Sequence, residues 1–338
     1  MCNKTIIMLL AFNLCGCASC RHIEGRTRLS SAGNIHAIEI ERSTKDSATF
    51  RINGRQVRFF HHSRKMFFDG MIVWLSKPAH KRRKRLTLST QDMRLTLLPL
   101  LSPEKFLNQI SVENVFLDPG HGGSDSGATV MGHRDEKDIV LDIAKSAATK
   151  LKEQGIPLSL ARESDKSVGL KSRNAIATKN NADILVSIHL NAASNRSAEG
   201  IETFILPPAG AASTHGRQYG NAAPFPGNRF NTQNIILAHN VHSRLVRNMS
   251  ATDRGIKRAR FSILRNATCP AILVECGFLT NRNDAEKLHN TEYIRTLGES
   301  LAEGIIDYIK KAGKPAQDNQ NKQSESPSEE QVAPGSPS

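Results

Sequence analysis

Four residues that could bind a metal or transfer a proton lie close to the ends of apolar, strand-like segments or at the start of a helix. His121 follows one segment in the sequence DPGHGG, His189 ends a second in SIHLNA, and Glu275 ends a third in ILVECG. Glu136 opens the helical segment after the glycine-rich loop. Imidazole nitrogens and carboxylate oxygens are metal ligands, and a carboxylate can also act as a general base. Their types therefore permit metal-assisted chemistry.

Each of these residues also has a purely structural explanation. His121 could support a turn, His189 could be a satisfied core histidine, and Glu136 could favour the positive end of its helix. Glu275 is harder to explain in this way, because a carboxylate that ends a buried apolar run needs a partner. In open α/β sheets, functional groups gather beyond the carboxyl ends of the strands, so one shared edge is expected to carry all four.

The cysteines indicate which metal ligands are available. The chain has six, and four of them lie in the first 20 residues. Cys269 and Cys276 remain, flanking an apolar segment, and we expect them to be buried, unreactive thiols. They do not form a CxxC pair, so a metal site in this part of the chain must use histidine and carboxylate.

Residues 35–110 are predicted to form a small β-rich domain whose role the sequence does not reveal. Short alternating segments are joined by Asn53-Gly54 and Asp69-Gly70, which are strong signals for two-residue hairpin turns. Ser89 is expected to cap a short helix at the end of this region.

Residues 111–312 are predicted to form an α/β domain. Strand-like segments alternate with helical ones, which favours a largely parallel, twisted sheet flanked by helices on both faces. The predicted strands lie near residues 115–117, 184–190, 201–206 and 271–274, and the predicted helices near residues 138–151, 172–179, 234–246 and 294–309.

Five motifs in this region occur in an order that resembles a known family. They read DPGHGG, EKDIVLDIA, VSIHLNA, GIETF and DRGIKRARFSILRNATCPAILVECGFLTN. Over residues 112–312 they are similar to the zinc-dependent N-acetylmuramoyl-L-alanine amidases of the Amidase_3 type. The resemblance implies that His121, Glu136 and His189 bind Zn²⁺ and that Glu275 is the catalytic carboxylate. It also implies cleavage of peptidoglycan between the lactyl group of N-acetylmuramic acid and L-alanine of the stem peptide.

The donor set agrees with that implication on chemical grounds. Two histidines and one carboxylate are a well-attested catalytic zinc set that leaves a position for water. Zinc can lower the pKa of that water to about 7 and polarise a carbonyl. Glu275, if it lies near the water, is expected to accept its proton and to pass one to the leaving amine.

Other polar residues near these motifs have weaker signals. Asn191 lies two residues after His189, on the same side of a strand, and we expect it to contact substrate or orient the site, although a turn role stays open. Asp118 is expected to brace the glycine-rich loop or a ligand histidine. His239 and His242 lie three residues apart on one helix face and could in principle bind a metal together. Because no third ligand lies nearby in the sequence, we expect them to be exposed surface residues.

The beginning of the chain favours export. Lys4 and an apolar stretch within residues 1–20 are typical of a secretory signal, and LCGC resembles a lipoprotein signal in which Cys17 is acylated. Ordinary cleavage near Ala18 is the alternative. We expect a periplasmic or membrane-anchored protein facing the cell wall, with a linker at 21–34 and a disordered tail at 313–338.

The net charge of +14 favours an acidic polymer as partner, but it does not identify that polymer. The basic cluster at 81–85 offers a nucleic-acid interpretation, which the export signal argues against. The resemblance to the amidases implies that peptidoglycan is the partner. A hydrophobic content of 38% and a charged content of 23% fit a soluble globular protein and give no indication of a multi-span membrane protein.

Two further functions stay open at this point. One is a zinc carboxypeptidase on stem peptides, for which Arg254, Lys257 and Arg258 could bind a terminal carboxylate. The other is a non-catalytic wall-binding protein.

Residues 207–232 predict a long loop near the edge that carries the site. Some related amidases are blocked by an inserted helix until an activator protein binds; this loop lacks a convincing amphipathic helix, although an activator stays a candidate partner.

Overall fold

A computed structural model describes residues 26–28, 38–82, 85–107, 111–130, 134–215 and 223–313. The predicted signal segment with Cys17 and the predicted tail beyond Gly313 lie outside the described residues. Of the predicted linker, only residues 26–28 are described, and they form a short strand.

The described strands and helices alternate as expected from about residue 115 onward. The strands are β1 (Arg26–Arg28), β2 (Ile38–Ser43), β3 (Ser47–Ile52), β4 (Arg55–Phe60), β5 (Lys65–Phe68), β6 (Met71–Trp74), β7 (His80–Arg82), β8 (Arg85–Ser89), β9 (Val115–Pro119), β10 (Leu158–Leu160), β11 (Ile184–Asn191), β12 (Ile201–Ile205), β13 (Asp253–Arg258) and β14 (Ala271–Phe278). The α-helices are α1 (Thr90–Asp92), α2 (Leu98–Leu101), α3 (Glu104–Leu107), α4 (Glu136–Glu153), α5 (Leu170–Lys179), α6 (Asn231–Asn248), α7 (Ser262–Arg265), α8 (Arg282–Leu288) and α9 (Thr291–Ala312). A π-helical turn (Met93–Leu97) joins α1 to α2, and a 3-10 turn (Pro226–Phe230) precedes α6.

One large sheet runs through the described part of the chain in the order β10-β9-β11-β14-β12-β13-β6-β5-β4-β3-β2. The strands β10, β9, β11 and β14 are mutually parallel. The strand β12 is antiparallel to β14, and β12, β13 and β6 are parallel to one another. The prediction of a largely parallel sheet in an α/β fold is confirmed.

Alternate residues of the central strands pack on opposite faces of the sheet, as the period of a strand requires. Val115, Leu117 and Val186 join the core that contains the apolar sides of α4, α6 and α9. Phe116 and Leu185 point the other way, into a second core with residues of α5 and α7. Helices therefore cover both faces, as predicted.

The β-rich N-terminal region is present, and its strands continue the large sheet. Strands β2 to β6 are antiparallel neighbours, and Val73 of β6 pairs with Ile256 of β13. Both predicted hairpin turns occur, with positive φ at each pair of central residues: 48° and 78° at Asn53 and Gly54, and 47° and 85° at Asp69 and Gly70. A separate three-stranded sheet contains β1, β8 and β7.

The short helix after β8 begins as expected. The backbone N–H of Asp92 donates to Ser89 Oγ at 2.9 Å, which satisfies one of the free amides of the first helical turn.

A buried histidine supports the junction between β13 and β6. His242 is 0% exposed, with Nδ1 3.0 Å from Thr203 Oγ1 and Nε2 2.9 Å from Asp253 Oδ1. The other oxygen of Asp253 accepts a 2.7 Å hydrogen bond from the backbone N–H of Ile72. The prediction of exposed histidines is wrong for His242, because its two ring nitrogens have partners from other strands. His239 is partly buried as well.

Candidate metal centre

Parallel pairing brings the ends of three strands to one edge of the sheet. β9 and β14 flank β11, and all three run in the same direction. His121 lies two residues beyond β9, His189 lies near the end of β11, and Glu275 is the direct partner of His189 in β14. Glu136 opens α4, which follows the glycine-rich loop. The structure therefore places all four predicted residues at or beside the same edge.

Three of these side chains converge. His121 Nε2 lies 3.2 Å from Glu136 Oε1, and His189 Nδ1 lies 3.0 Å from the same oxygen. One ligand atom from each of the three residues lies within 4.8 Å of the others. Two imidazole nitrogens and one carboxylate oxygen at such spacing fit a zinc ion with a free coordination position.

Glycine makes this convergence sterically allowed. A Cβ at Gly120 would lie 2.2 Å from His189 Cε1, so any side chain there would collide with the imidazole. A Cβ at Gly127 would lie 2.6 Å from Glu136 Oε2, and the φ of Gly127 is +70°. The two histidine rings then meet edge to face with centroids 4.9 Å apart.

Hydrogen bonds fix the Glu136 carboxylate and favour its charged form. Its Oε2 accepts from the backbone N–H of Ala128 at 2.8 Å, and its Oε1 accepts from that of Leu190 at 2.9 Å. Burial acts to raise the pKa of Glu136, but the bonds with His121 and His189 outweigh it and hold that pKa well below its usual range. The group is thus an anion at neutral pH, the form in which a carboxyl group binds a metal.

Two buried arginines that the sequence analysis missed hold the glycine-rich loop. Arg173 donates to Asp118 Oδ1 at 2.5 Å and to the carbonyl of His121 at 2.7 Å, and Arg162 donates to the carbonyl of Gly120 at 2.7 Å. Asp118 thus contacts the loop through Arg173. No local sequence pattern marks either arginine, because their partners are 42 to 55 residues away in the chain.

Glu275 has the environment of a carboxyl group that can hold a proton. Its Oε2 atom is buried and has no hydrogen-bond partner among the described residues. Burial, and then the charges of Glu136 and Glu202, raise the pKa of Glu275 well above its usual value. Raised values of this kind are common in general acids and bases.

Asn191 belongs to a polar cluster on the other side of Glu275. Its Nδ2 donates to Glu202 Oε1 at 2.6 Å, and Glu202 is the β12 partner of Glu275. The second oxygen of Glu202 accepts from Arg254 at 3.0 Å and from Lys257. This ion-paired cluster therefore fixes the Asn191 amide next to the candidate site.

The loop after β12 lies elsewhere than predicted. Because β12 runs antiparallel to β14, it ends at the edge opposite to Glu275. In the described part of the loop, Thr214 N–H donates to the carbonyl of Arg258 at 2.8 Å, at the far end of β13. The prediction that residues 207–232 lie near the site is wrong for this part. Arg258 is also at the far edge, so it does not form one pocket with Arg254 and Lys257.

The two cysteines of the described chain are free and buried, as expected. Burial raises the pKa of Cys269 to about 12 and that of Cys276 beyond the range of a reactive thiol. Neither contributes a ligand to the cluster.

Comparison with known proteins agrees with the fold. The family described as N-acetylmuramoyl-L-alanine amidase, Amidase_3, matches residues 115–307. The chain belongs to this family.

Individual relatives differ in how much of them the chain covers. It is 33% identical over 222 residues to the uncharacterized protein YqiI of Bacillus subtilis, covering 66% of this chain and 96% of that protein. It is also 33% identical over 203 residues to the N-acetylmuramoyl-L-alanine amidase LytC of Bacillus subtilis, covering 60% of this chain but 37% of LytC. The crystal structure of an N-acetylmuramoyl-L-alanine amidase from Clostridium difficile 630 is 37% identical, with a TM-score of 0.50 over 59% of this chain and 98% of that one.

Proposed function

We propose that this protein is a zinc-dependent peptidoglycan hydrolase that cleaves the amide bond between the lactyl group of N-acetylmuramic acid and L-alanine. The observation that carries the proposal is the convergence of His121, Glu136 and His189 within 4.8 Å, in a chain of the amidase family. Glu275, paired with His189 across two strands, supplies the neighbouring acid.

His121, Glu136 and His189 would hold the zinc ion. When bound, the ion supplies a Lewis acid for the scissile carbonyl and a water of lowered pKa. Glu136 is suited to this role because its carboxylate is anionic and two backbone amides fix its direction. Arg162 and Arg173 act as positioning residues, since they hold the carbonyls of Gly120 and His121.

Glu275 would carry the proton transfers. It accepts a proton from the attacking water and passes one to the amine of L-alanine as the amide bond breaks. Burial and the charge of Glu136 raise the pKa of Glu275 in the metal-free protein, whereas a cation held by Glu136 would favour the carboxylate that accepts the proton. The Asn191–Glu202 pair lies alongside and would orient the stem peptide or Glu275 itself.

The first test is digestion of purified peptidoglycan with and without a chelator, with products identified by mass. Release of intact stems with a free L-alanine amine, lost on chelation and restored by zinc, is the expected result. Loss of a terminal D-alanine alone would instead show a carboxypeptidase. No cleavage by the zinc-loaded protein, either alone or with added cell extract, would favour a non-catalytic wall-binding protein.

Substitution of Glu275 tests the assigned base. We expect Glu275→Gln to bind zinc as the parent does and to lose activity by about 10²–10⁴-fold, the usual contribution of general acid–base catalysis. Glu286→Gln, which removes an exposed carboxylate on α8, should keep full activity. Near-normal hydrolysis by the Glu275 variant would remove it from the mechanism.

We also propose that the protein is exported and that Cys17 is acylated, so that the enzyme faces the cell wall from a membrane. Within the part of the chain that is described, no helix is long and apolar enough to cross a bilayer. Replacing Cys17 with Ser should abolish lipid attachment, as measured by the mass of the N-terminal peptide. An unmodified N-terminal peptide in the parent would contradict acylation.

An activator protein is a candidate partner, and the same digestion tests it. If the purified chain alone releases stems, no activator is needed. Activity that appears only when a cell extract is added would support one.

A further inference from the structure

A cavity of about 260 Å³ lies where the N-terminal strands meet the helices of the amidase fold. Its walls come from the start of β4, the end of β5 and the turn after it, from α2 and the segment that follows it, from α6 and from the end of α9. We call it the interface cavity; the residues that matter here are Arg55, His239, Ser243, Arg244, Arg247 and Lys311. None of the proposed metal ligands, nor Glu275, lines it.

Two of the four basic residues in the interface cavity are neutralised by carboxylates. Arg55 pairs with Asp69 at 2.8 Å, and Arg244 pairs with Asp307 at 2.6 Å. Among the residues that the structure describes, those two acids are the only ones in the cavity wall. The cavity therefore holds two positive charges in excess.

The excess charges belong to Arg247 and Lys311. Among the described residues, neither has a carboxylate within 4.0 Å; Arg247 reaches only the carbonyl of Asp69, and Lys311 the amide oxygen of Asn240. Burial also lowers the pKa of Lys311, which shows that its charge is poorly solvated. An anion in the cavity would compensate both cations.

Two neutral polar atoms in the same wall also lack partners. Ser243 is 6% exposed, and its Oγ has no hydrogen-bond partner among the described residues; the same is true of Nε2 of His239. Burial, and then the charge of Lys311, lower the pKa of His239 to about 3, so its imidazole is neutral. Buried polar atoms are normally satisfied, so these two atoms need a partner from the cavity, either a water or a bound ligand.

We propose that the interface cavity binds a phosphoryl group. Arg247, Lys311, Ser243 and His239 offer a guanidinium, an ammonium, a hydroxyl and a ring nitrogen to one space. A phosphoryl group presents three or four oxygens to such a set, whereas a carboxylate presents only two. The volume lies just below the usual range of about 300–1,000 Å³ for ligand pockets, which suits free phosphate or a phospholipid headgroup.

The position of the cavity gives the ligand a structural effect. Arg55 comes from the N-terminal strands, while Ser243 and Lys311 come from α6 and α9. The four proposed ligand residues lie on α6 and α9, and Arg247 also donates to the carbonyl of Asp69 in the N-terminal region. A bound phosphoryl group would fix Arg247 in this position, and a ligand that binds only the folded state raises the melting temperature.

Calorimetric titration of the full chain with inorganic phosphate, at constant ionic strength and neutral pH, tests the proposal. One saturable site and a rise in melting temperature are expected. Arg247→Met and Lys311→Met should each weaken binding at least tenfold, and Ser243→Ala several-fold, since bonds to charged groups contribute about 1.5–3 kcal/mol. The matched control is Lys152→Met, which removes an exposed lysine near the end of α4 and should leave binding unchanged.

Sedimentation with phosphatidylglycerol vesicles separates the two sources of the ligand. Vesicle binding that Lys311→Met abolishes and that phosphate competes away identifies a headgroup; phosphate binding without vesicle binding identifies the free anion. The proposal is overturned if neither ligand binds, or if Lys152→Met weakens binding as much as Lys311→Met does. Ser243→Ala is the smallest change in the set, so it keeps the test valid if a charge variant fails to fold. Peptidoglycan hydrolysis by these variants should be unchanged.

Discussion

At the scale of single residues, the geometry of the metal site depends on where side chains are missing. The imidazole of His189 occupies the space that a Cβ at Gly120 would need. The carboxylate of Glu136 lies close to Gly127 in the same way. Each of these ligands therefore needs a glycine beside it, and adding a single carbon at that glycine should displace the ligand.

Gly120→Ala should displace His189 and weaken zinc binding. The added Cβ would lie 2.2 Å from the ring, far inside contact distance, so the imidazole must move. We expect at least a tenfold loss of zinc affinity, measured by competition with a chelator. Gly169→Ala is the control, because its nearest atom would be at 3.7 Å; equal zinc affinity in the two variants would contradict the steric explanation.

Glu275 should reduce the stability of the metal-free protein at neutral pH. Its pKa is raised on folding, so between its ordinary and its raised value the folded state holds a proton that the unfolded chain releases. Stability then falls as pH rises through that interval. Glu275→Gln should therefore raise the melting temperature near pH 7, by about 2–4 °C for each kcal/mol, and leave it unchanged near pH 4. An equal rise at both pH values would indicate a packing effect instead.

At the scale of helices and strands, the local sequence pattern was enough to predict an element wherever apolar residues dominate it. The strands that carry His189 and Glu275 begin with largely apolar runs, and the two hairpin turns have their own residue signals. β13 was missed because it reads DRGIKR, and its buried charges are satisfied by residues such as Glu202 that are distant in sequence. β10 was missed because it has only three residues.

The convergence of His121, Glu136 and His189 could be expected from strand order and from family motifs, but their supports could not. Whether a histidine is buried, or an arginine holds a loop, depends on contacts between distant segments. His242 was predicted to lie on the surface because the sequence showed only its position on a helix face and no nearby third metal ligand. Its partners on β12 and β13 appear only in the folded chain.

Arg173 connects α5 to the glycine-rich loop, and its removal tests that connection. Arg173→Met would leave the buried Asp118 carboxylate without its cation, which typically costs about 3–5 kcal/mol. It should also weaken zinc binding, since the carbonyl of His121 loses its donor. Urea unfolding and chelator competition measure the two effects. Arg295→Met, which removes only exposed ion pairs on α9, should cost about 1 kcal/mol or less.

At the scale of the whole molecule, the N-terminal strands and the amidase fold share one sheet. The contact depends on Gly255, whose φ is +89° and whose Cβ would lie 2.5 Å from Ile72 Cγ2. Asp253 reinforces it by accepting the amide of Ile72. The two regions are therefore expected to unfold together.

Gly255→Ala should destabilise the molecule more than its backbone strain alone would. Gly54 is the matched control, because its φ is +78° but no atom lies within 4 Å of an added Cβ. We expect Gly54→Ala to cost about 1–2 kcal/mol and Gly255→Ala clearly more, measured by urea unfolding. An equal loss of unfolding free energy in the two variants would show that an added Cβ at Gly255 does not collide with strand β6.

The pairing of β6 with β13 also determines what happens when the chain is shortened. A fragment that lacks residues 38–74 would leave the backbone amides and carbonyls of β13 without the strand that now covers them. An uncovered strand of this kind is a template for pairing with another molecule. The amidase region in isolation should therefore self-associate, whereas in the intact protein the N-terminal strands cover β13 and prevent aggregation through it.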